Sequence, residues 1–151
     1  LNVGLVWSGS FNGANEPYRS IPLSLLSKIL SLNANFYYLQ NEIWESDYKD
    51  LISSNLTNFG KYKLDEISPI IKNLDLVITV DTSLLHLSAS LNTETWALIC
   101  LNPDWRWNEF NKINPYKNLK IFRQKKFNNW EDNLNDIYKK LEEKINLKSK
   151  I

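Results

Sequence analysis

Residues 74–90 read LDLVITVDTSLLHLSAS, and the fold follows from the change of character at the middle of this stretch. Residues 74–80 form a nearly continuous apolar run rich in β-branched side chains, as in a strand covered on both faces. Asp81, Thr82 and Ser83 follow at once, and all three are favoured helix N-cap residues. Leu84, Leu87 and Leu91 then recur at i, i+3 and i+7, one face of a helix laid on the sheet. A strand that passes straight into a helix leaves backbone N–H groups pointing out of its carboxyl end. The helix dipole adds positive potential there, so the junction has the makings of an anion site. His86 lies one turn beyond Thr82 and shares its face rather than the leucine face. Two readings stand open: such a triplet often only caps its helix, and a lone helical histidine is often structural.

Upstream, residues 1–7 read as a first strand, and residues 8–20 as a loop broken by Gly9, Gly13 and Pro17. A helix is predicted from Ser20 and Pro22 to about Leu32, with the proline in its first turn. Residues 35–39 (NFYYL) give a second strand, 40–45 the loop at its carboxyl end, and 46–53 a short helix. Residues 56–59 read as a weak third strand closed by Gly60, and 64–73 as a helix that Pro69 shortens or bends. Downstream, residues 95–101 (TWALICL) are a further strand, 102–116 an irregular loop, and 119–122 a sixth strand. The closing helix over 130–147 buries Trp130, Leu134, Ile137, Tyr138, Leu141 and Ile145 on one face. Strands alternating with helices mean a parallel sheet covered on both sides. The prediction is a Rossmann-like α/β domain with about six strands.

In an open doubly wound sheet, ligands sit outside the carboxyl ends of the strands where the strand order reverses. That rule gathers residues 8–19, 40–42, 81–86 and 102–107 along one edge. The first loop lacks G-x-G-x-x-G, which argues against a standard dinucleotide site and against a nucleotide-sugar epimerase. The basic residues are spread out and the net charge is +1, so no nucleic-acid partner is expected. No apolar run reaches spanning length, so no membrane span is expected. With 43% hydrophobic and 23% charged residues the 151-residue chain suits one globular domain, 1–151. One His and one Cys exclude a His/Cys metal cluster and an internal disulfide, and neither a metal nor a cofactor is expected. The unpaired Cys100 fits a reducing, cytoplasmic location. The chain has no Met and opens directly in a strand-like run, so it reads as part of a longer polypeptide.

The segments VGLVWSGS, YRSIPL, LDLVITVDTSLLHLSASL, PDWRW and IFRQ, in this order and spacing, resemble a glycosyltransferase-like region found in bacterial tetratricopeptide-repeat proteins. That region belongs with the heptosyltransferases, glycosyltransferase family 9 and relatives, of two-domain GT-B architecture. The resemblance covers nearly the whole chain and corresponds to the C-terminal half. It implies a nucleotide-diphosphate sugar as donor substrate, with the acceptor site and the catalytic base in an N-terminal half outside this chain. On this resemblance the isolated chain would catalyse little. Tetratricopeptide repeats or a partner subunit are implied neighbours, and a degenerate, non-catalytic scaffold beside them is the rival expectation.

Residue by residue, Asp81, Thr82, Ser83 and His86 match the family's D-[TS]-x-x-x-H pattern, where the helix start receives the donor diphosphate. Ser8 and Gly9 match the loop that approaches the same phosphates, and Arg19 a basic position that neutralises them. Gln40 and Glu42 fall where relatives place residues beside the nucleoside. Asp104, Trp105, Arg106 and Trp107 match a subgroup signature with no role attached. Where the family commonly has Gly-Lys-Pro this chain has Asn92, Thr93 and Glu94, and Ser88, Ala89 and Ser90 replace Ala-Gly-Ala. Asn92 tolerates the left-handed backbone wanted just past a helix. Local alternatives remain: Arg19 pairing with Glu16, His86 organising the opposing loop, and the tryptophans pinning their loop rather than stacking on ligand.

Overall fold

The structure, a computed structural model of the 151-residue chain, describes residues 1–13, 16, 18–107, 114 and 116–150. Five strands form one parallel sheet: β1 (Asn2–Val6), β2 (Asn35–Tyr38), β3 (Leu76–Val80), β4 (Thr95–Ile99) and β5 (Leu119–Arg123). Their order is β2-β1-β3-β4-β5, a doubly wound arrangement whose direction reverses between β1 and β3. The helices are α1 (Ser27–Leu30, entered through a 3-10 turn at Leu23–Leu26), α2 (Tyr48–Ser53), α3 (Ser68–Lys72), α4 (Ser83–Ser90) and α5 (Glu131–Lys148).

Alternation along the strands sorts the core. Val3, Leu5, Trp7, Leu76, Ile78, Val80, Trp96 and Leu98 face α1 and α5, whose Ile29, Leu134, Ile137, Leu141 and Ile145 complete the larger cluster. Val6 and Val77 face the other way, against Ile67, Ile71 and Leu84. Ala97 and Ile99 share that second face with Leu85 and Trp107. All five residues of β3 are buried, as a central strand with both faces covered requires. Among the described residues no helix is long and apolar enough to cross a membrane.

The prediction of about six strands is corrected to five. Residues 56–59 make only an isolated bridge, Tyr37 to Thr57. Thr57 N–H donates to the Phe36 carbonyl at 3.0 Å and its own carbonyl accepts from Tyr38 N–H at 3.0 Å. Residues 57–60 are all exposed, so no buried face fixes a longer register. Asn58 Oδ1 then accepts from Gly60 N–H, and Gly60, at φ 81°, turns the chain away. The helix over 64–73 contracts to Ser68–Lys72, because Pro69 has no amide to give an interior turn and instead starts the helix. The first helix is likewise shorter than 20–32 and half of it is 3-10. Pro17 and much of the 102–116 loop (108–113 and 115) lie outside the described residues.

The unusual turn after α4 has structural work to do. Asn92 takes φ 62°, the left-handed conformation expected there. Thr93 Oγ1 donates to the Ile71 carbonyl, and Glu94 accepts Trp96 Nε1–H at 2.9 Å and Lys144 Nζ at 2.7 Å. The Ser88 hydroxyl accepts from Thr95 Oγ1 at 3.0 Å, tying α4 to the start of β4.

Candidate functional site

The entrance to α4 sits at the carboxyl edge of β3, beside the reversal in strand order. Thr82 is the N-cap, with extended backbone at φ −142° and ψ 171°, yet no side chain caps the helix. Its hydroxyl turns back toward the strand instead, 3.3 Å from Thr79 Oγ1. No hydrogen bond among the described residues reaches the amides of Thr82, Ser83 or Leu84; the first bonded amide is Leu85, to the Thr82 carbonyl at 3.1 Å. Uncapped amides and the positive end of a helix thus face an open rim. Ser83 is exposed, and Asp81 and Thr82 are half-buried.

A groove of about 290 Å³ runs from this entrance toward β2, lined on one side by Ser8, Gly9 and Ser10 and on the other by Tyr62 and Leu64. Gln40, Asn41 and Glu42 form its far end, with Thr82, Ser83 and Leu84 at the near end. Six of the nine expected site residues therefore meet in one place: Ser8, Gly9, Gln40, Glu42, Thr82 and Ser83. Arg19, Asp81 and His86 lie outside the groove lining. Arg19 flanks the entrance, its Nη1 donating to the Asp81 carbonyl at 2.9 Å.

Several polar groups expected to meet ligand are already engaged. Gln40, 7% exposed, accepts at Oε1 from Trp7 N–H (2.8 Å) and Ser8 N–H (3.2 Å), and its Nε2 donates to Ser8 Oγ (2.6 Å) and the Glu42 carbonyl (3.0 Å). It is a clamp on the exit of β1. Glu42 accepts Phe11 N–H at 2.9 Å, and Glu16 accepts Gly9 N–H at 3.0 Å. Arg19 does pair with Glu16, Nε to Oε1 at 2.6 Å.

His86 turns toward the loop after β4. Its ring stacks on Trp107, centroids 5.6 Å apart and planes 19° apart, and Nδ1 lies 3.2 Å from the Tyr116 hydroxyl. Burial pushes its pKa below the usual value, Asp81 and Asp104 oppose that shift, and Arg106 adds to it. A neutral imidazole follows, holding one nitrogen to Tyr116 and leaving Nε2 buried without a partner among the described residues. Trp107 is buried and pins its loop, whereas Trp105 is 67% exposed beneath Arg106.

Sequence reasoning passed over Tyr62 and Leu64 as lining residues; it gives Leu64 only as the start of the helix predicted over 64–73, which begins at Ser68. Asn41 holds Tyr62 there: its Nδ2 donates to the Tyr62 carbonyl at 2.7 Å and its Oδ1 accepts from Tyr62 N–H at 3.4 Å. Burial raises the Tyr62 phenol to about 12. Asp47 was also passed over. Its buried carboxylate accepts Trp7 Nε1–H at 2.9 Å and Leu23 N–H at 3.1 Å, fixing the β1 exit to the start of α1.

A groove at the reversal point, ending on bare helix amides, is the setting in which a sequence-family match carries weight. The family model of glycosyltransferase family 9 (heptosyltransferase) matches residues 39–134. The chain belongs to this family. The match spans the far wall of the groove, the whole α4 entrance and the Trp107 loop, and begins after Arg19. No curated protein matches the chain. Two solved structures of the E. coli heptosyltransferase WaaC share the fold. The one with ADP-2-deoxy-2-fluoro heptose is 14% identical, with a TM-score of 0.66 over 91% of this chain. The one with ADP is 16% identical, with a TM-score of 0.66 over 93% of this chain. The family 9 chain spans 42% and 43% of those two proteins, less than half of each.

Proposed function

We propose that this family 9 domain binds the nucleotide-diphosphate sugar donor of a glycosyltransferase, with the diphosphate at the start of α4. The observation that carries this reading is the uncapped α4 entrance opening onto a groove at the strand reversal. Amides fixed by the helix stabilise an anion without reorganising, which is what a departing diphosphate needs as its charge grows. Arg19, anchored on the Asp81 carbonyl, would add a guanidinium at the same rim. The nucleoside would lie along the groove toward Gln40, Glu42 and Tyr62. The bound ligands named for the WaaC structures, ADP and an ADP-linked fluoro-heptose, are of the same chemical class.

In this reading the reaction is metal-independent transfer of a sugar to an acceptor hydroxyl, and a second GT-B half supplies the acceptor site and the base that deprotonates it. The domain acts alone only as a binder. A second reading, a degenerate scaffold associated with tetratricopeptide repeats, is favoured by one observation: the Gly9 and Phe11 amides of the first loop are already occupied by Glu16 and Glu42.

Calorimetric titration with ADP separates the two. Proline is well tolerated at the first helical position and removes one N–H there, so Ser83→Pro deletes an anion contact without breaking α4. The donor reading expects wild-type binding and a loss of about tenfold in the variant, the worth of one hydrogen bond to a charged group. No wild-type affinity favours the scaffold.

A further inference from the structure

The donor-site reading leaves Glu16 without a task, although it is the most heavily engaged carboxylate of the rim. Its side chain is only 4% exposed. Oε1 accepts both Gly9 N–H at 3.0 Å and Arg19 Nε–H at 2.6 Å, and Oε2 accepts the Ser20 hydroxyl. Burying a carboxylate is costly unless every lone pair finds a donor, and here donors come from both ends of the loop after β1.

The guanidinium that Glu16 grips is confined as well, with the Arg19 side chain 18% exposed. A Cβ on Gly9 or on Gly13 would collide with Arg19 Nη2, so the loop backbone closes directly onto it. Nη1 reaches the Asp81 carbonyl, one residue before the bare amides of α4. Nη2 makes no hydrogen bond among the described residues. A continuous path therefore runs from the Glu16 carboxylate through Arg19 to the α4 entrance.

We propose that Glu16 is a positioning residue of the donor site, which aims Arg19 at the α4 entrance and at the same time offsets its charge. This rests on the donor-site reading above. The two actions have opposite signs for an anionic ligand. The grip places the guanidinium, whose Nη1 already reaches the Asp81 carbonyl, beside the diphosphate. The negative charge weakens the pull of that guanidinium, so the site holds its nucleotide less tightly than its geometry allows.

The test is a titration of the protein with ADP at low and high salt, using Glu16→Gln and Glu16→Ala, with thermal melts alongside. Glutamine keeps the size and the Oε1 acceptor but removes the charge. It is expected to bind ADP about fivefold tighter, with a steeper loss of affinity as salt rises. Alanine removes the grip and is expected to bind about tenfold weaker. A purely structural glutamate would lower the melting temperature of both variants and move ADP affinity in one direction or not at all. Wild-type binding with unchanged or weakened binding in Glu16→Gln overturns the positioning role and leaves the donor site standing. Absence of wild-type ADP binding removes the donor site, and the positioning role with it. Should the alanine variant fail to fold, the sign of the glutamine effect decides.

Discussion

The strands β2 and β5 leave the sheet in one way and β3 in another, and the difference lies in what becomes of the amides at the neighbouring strand exits. After β2, Gln40 turns inward and accepts the Trp7 and Ser8 amides at the exit of β1. After β5, Gln124 does the same for β4, accepting Leu101 N–H at 3.0 Å. Both glutamines are buried, and each ties down an amide within the first two residues after the neighbouring strand. At the exit of β3 no such clamp exists among the described residues, and Thr82 turns its hydroxyl away from the helix it precedes. Buried amides are normally satisfied within a protein, whereas the first amides of a helix need a cap, water or a ligand. Among the described residues the exits of β1 and β4 are clamped by a glutamine and that of β3 is not, the contrast on which the proposed donor site rests.

The largest effect expected from disturbing this contrast is at the Gln40 clamp. Gln40→Ala bares two amides and a buried serine hydroxyl, for a loss of about 3 kcal/mol. In a chain of this size that is a fall of roughly 10 °C in melting temperature. Gln124→Ala should cost less than half as much, because it bares a single amide and also removes the buried Nε2 that has no partner among the described residues. Paired melts read both, and equal losses would show that the number of amides bared does not set the cost.

A smaller effect separates His86 from the α4 entrance beside it. Burial lowers its folded pKa below the ordinary histidine value near 6.5. In the window between the folded and unfolded values the unfolded chain binds more protons, so stability rises with pH there. The His86 contribution is complete above about pH 6.5 and is lost as pH falls below it. Melts at pH 5.5 and 7.5 should therefore differ more for the wild type than for His86→Gln. An unchanged pH dependence in the variant would show that the stack on Trp107 does not keep the imidazole neutral.

Which parts of this were legible in the sequence follows from range. The β3–α4 junction is local: an apolar run, three capping residue types and a leucine stripe, all within residues 74–91. The left-handed Asn92 and the Arg19–Glu16 pair, three residues apart, are local too. The weak third strand failed because its apolar residues, Leu56 and Phe59, flank a bridge that no buried face extends. Gln40 stood out as a nucleoside-side residue, but its bonds to Trp7 and Ser8 span 33 and 32 residues and depend on β1 and β2 being neighbours. Asp47 and Tyr62 enter through long-range contacts, to Trp7 and Leu23 and to Asn41, which no local pattern announces.

Hydrogen–deuterium exchange at the amides of Thr82, Ser83 and Leu84, with and without saturating ADP, tests the open exit most directly. Slowed exchange concentrated at these three amides, with the already bonded Trp7, Ser8 and Leu101 amides unchanged, is the expected result. Exchange at Thr82–Leu84 that ADP leaves untouched while another part of the rim is protected would contradict it.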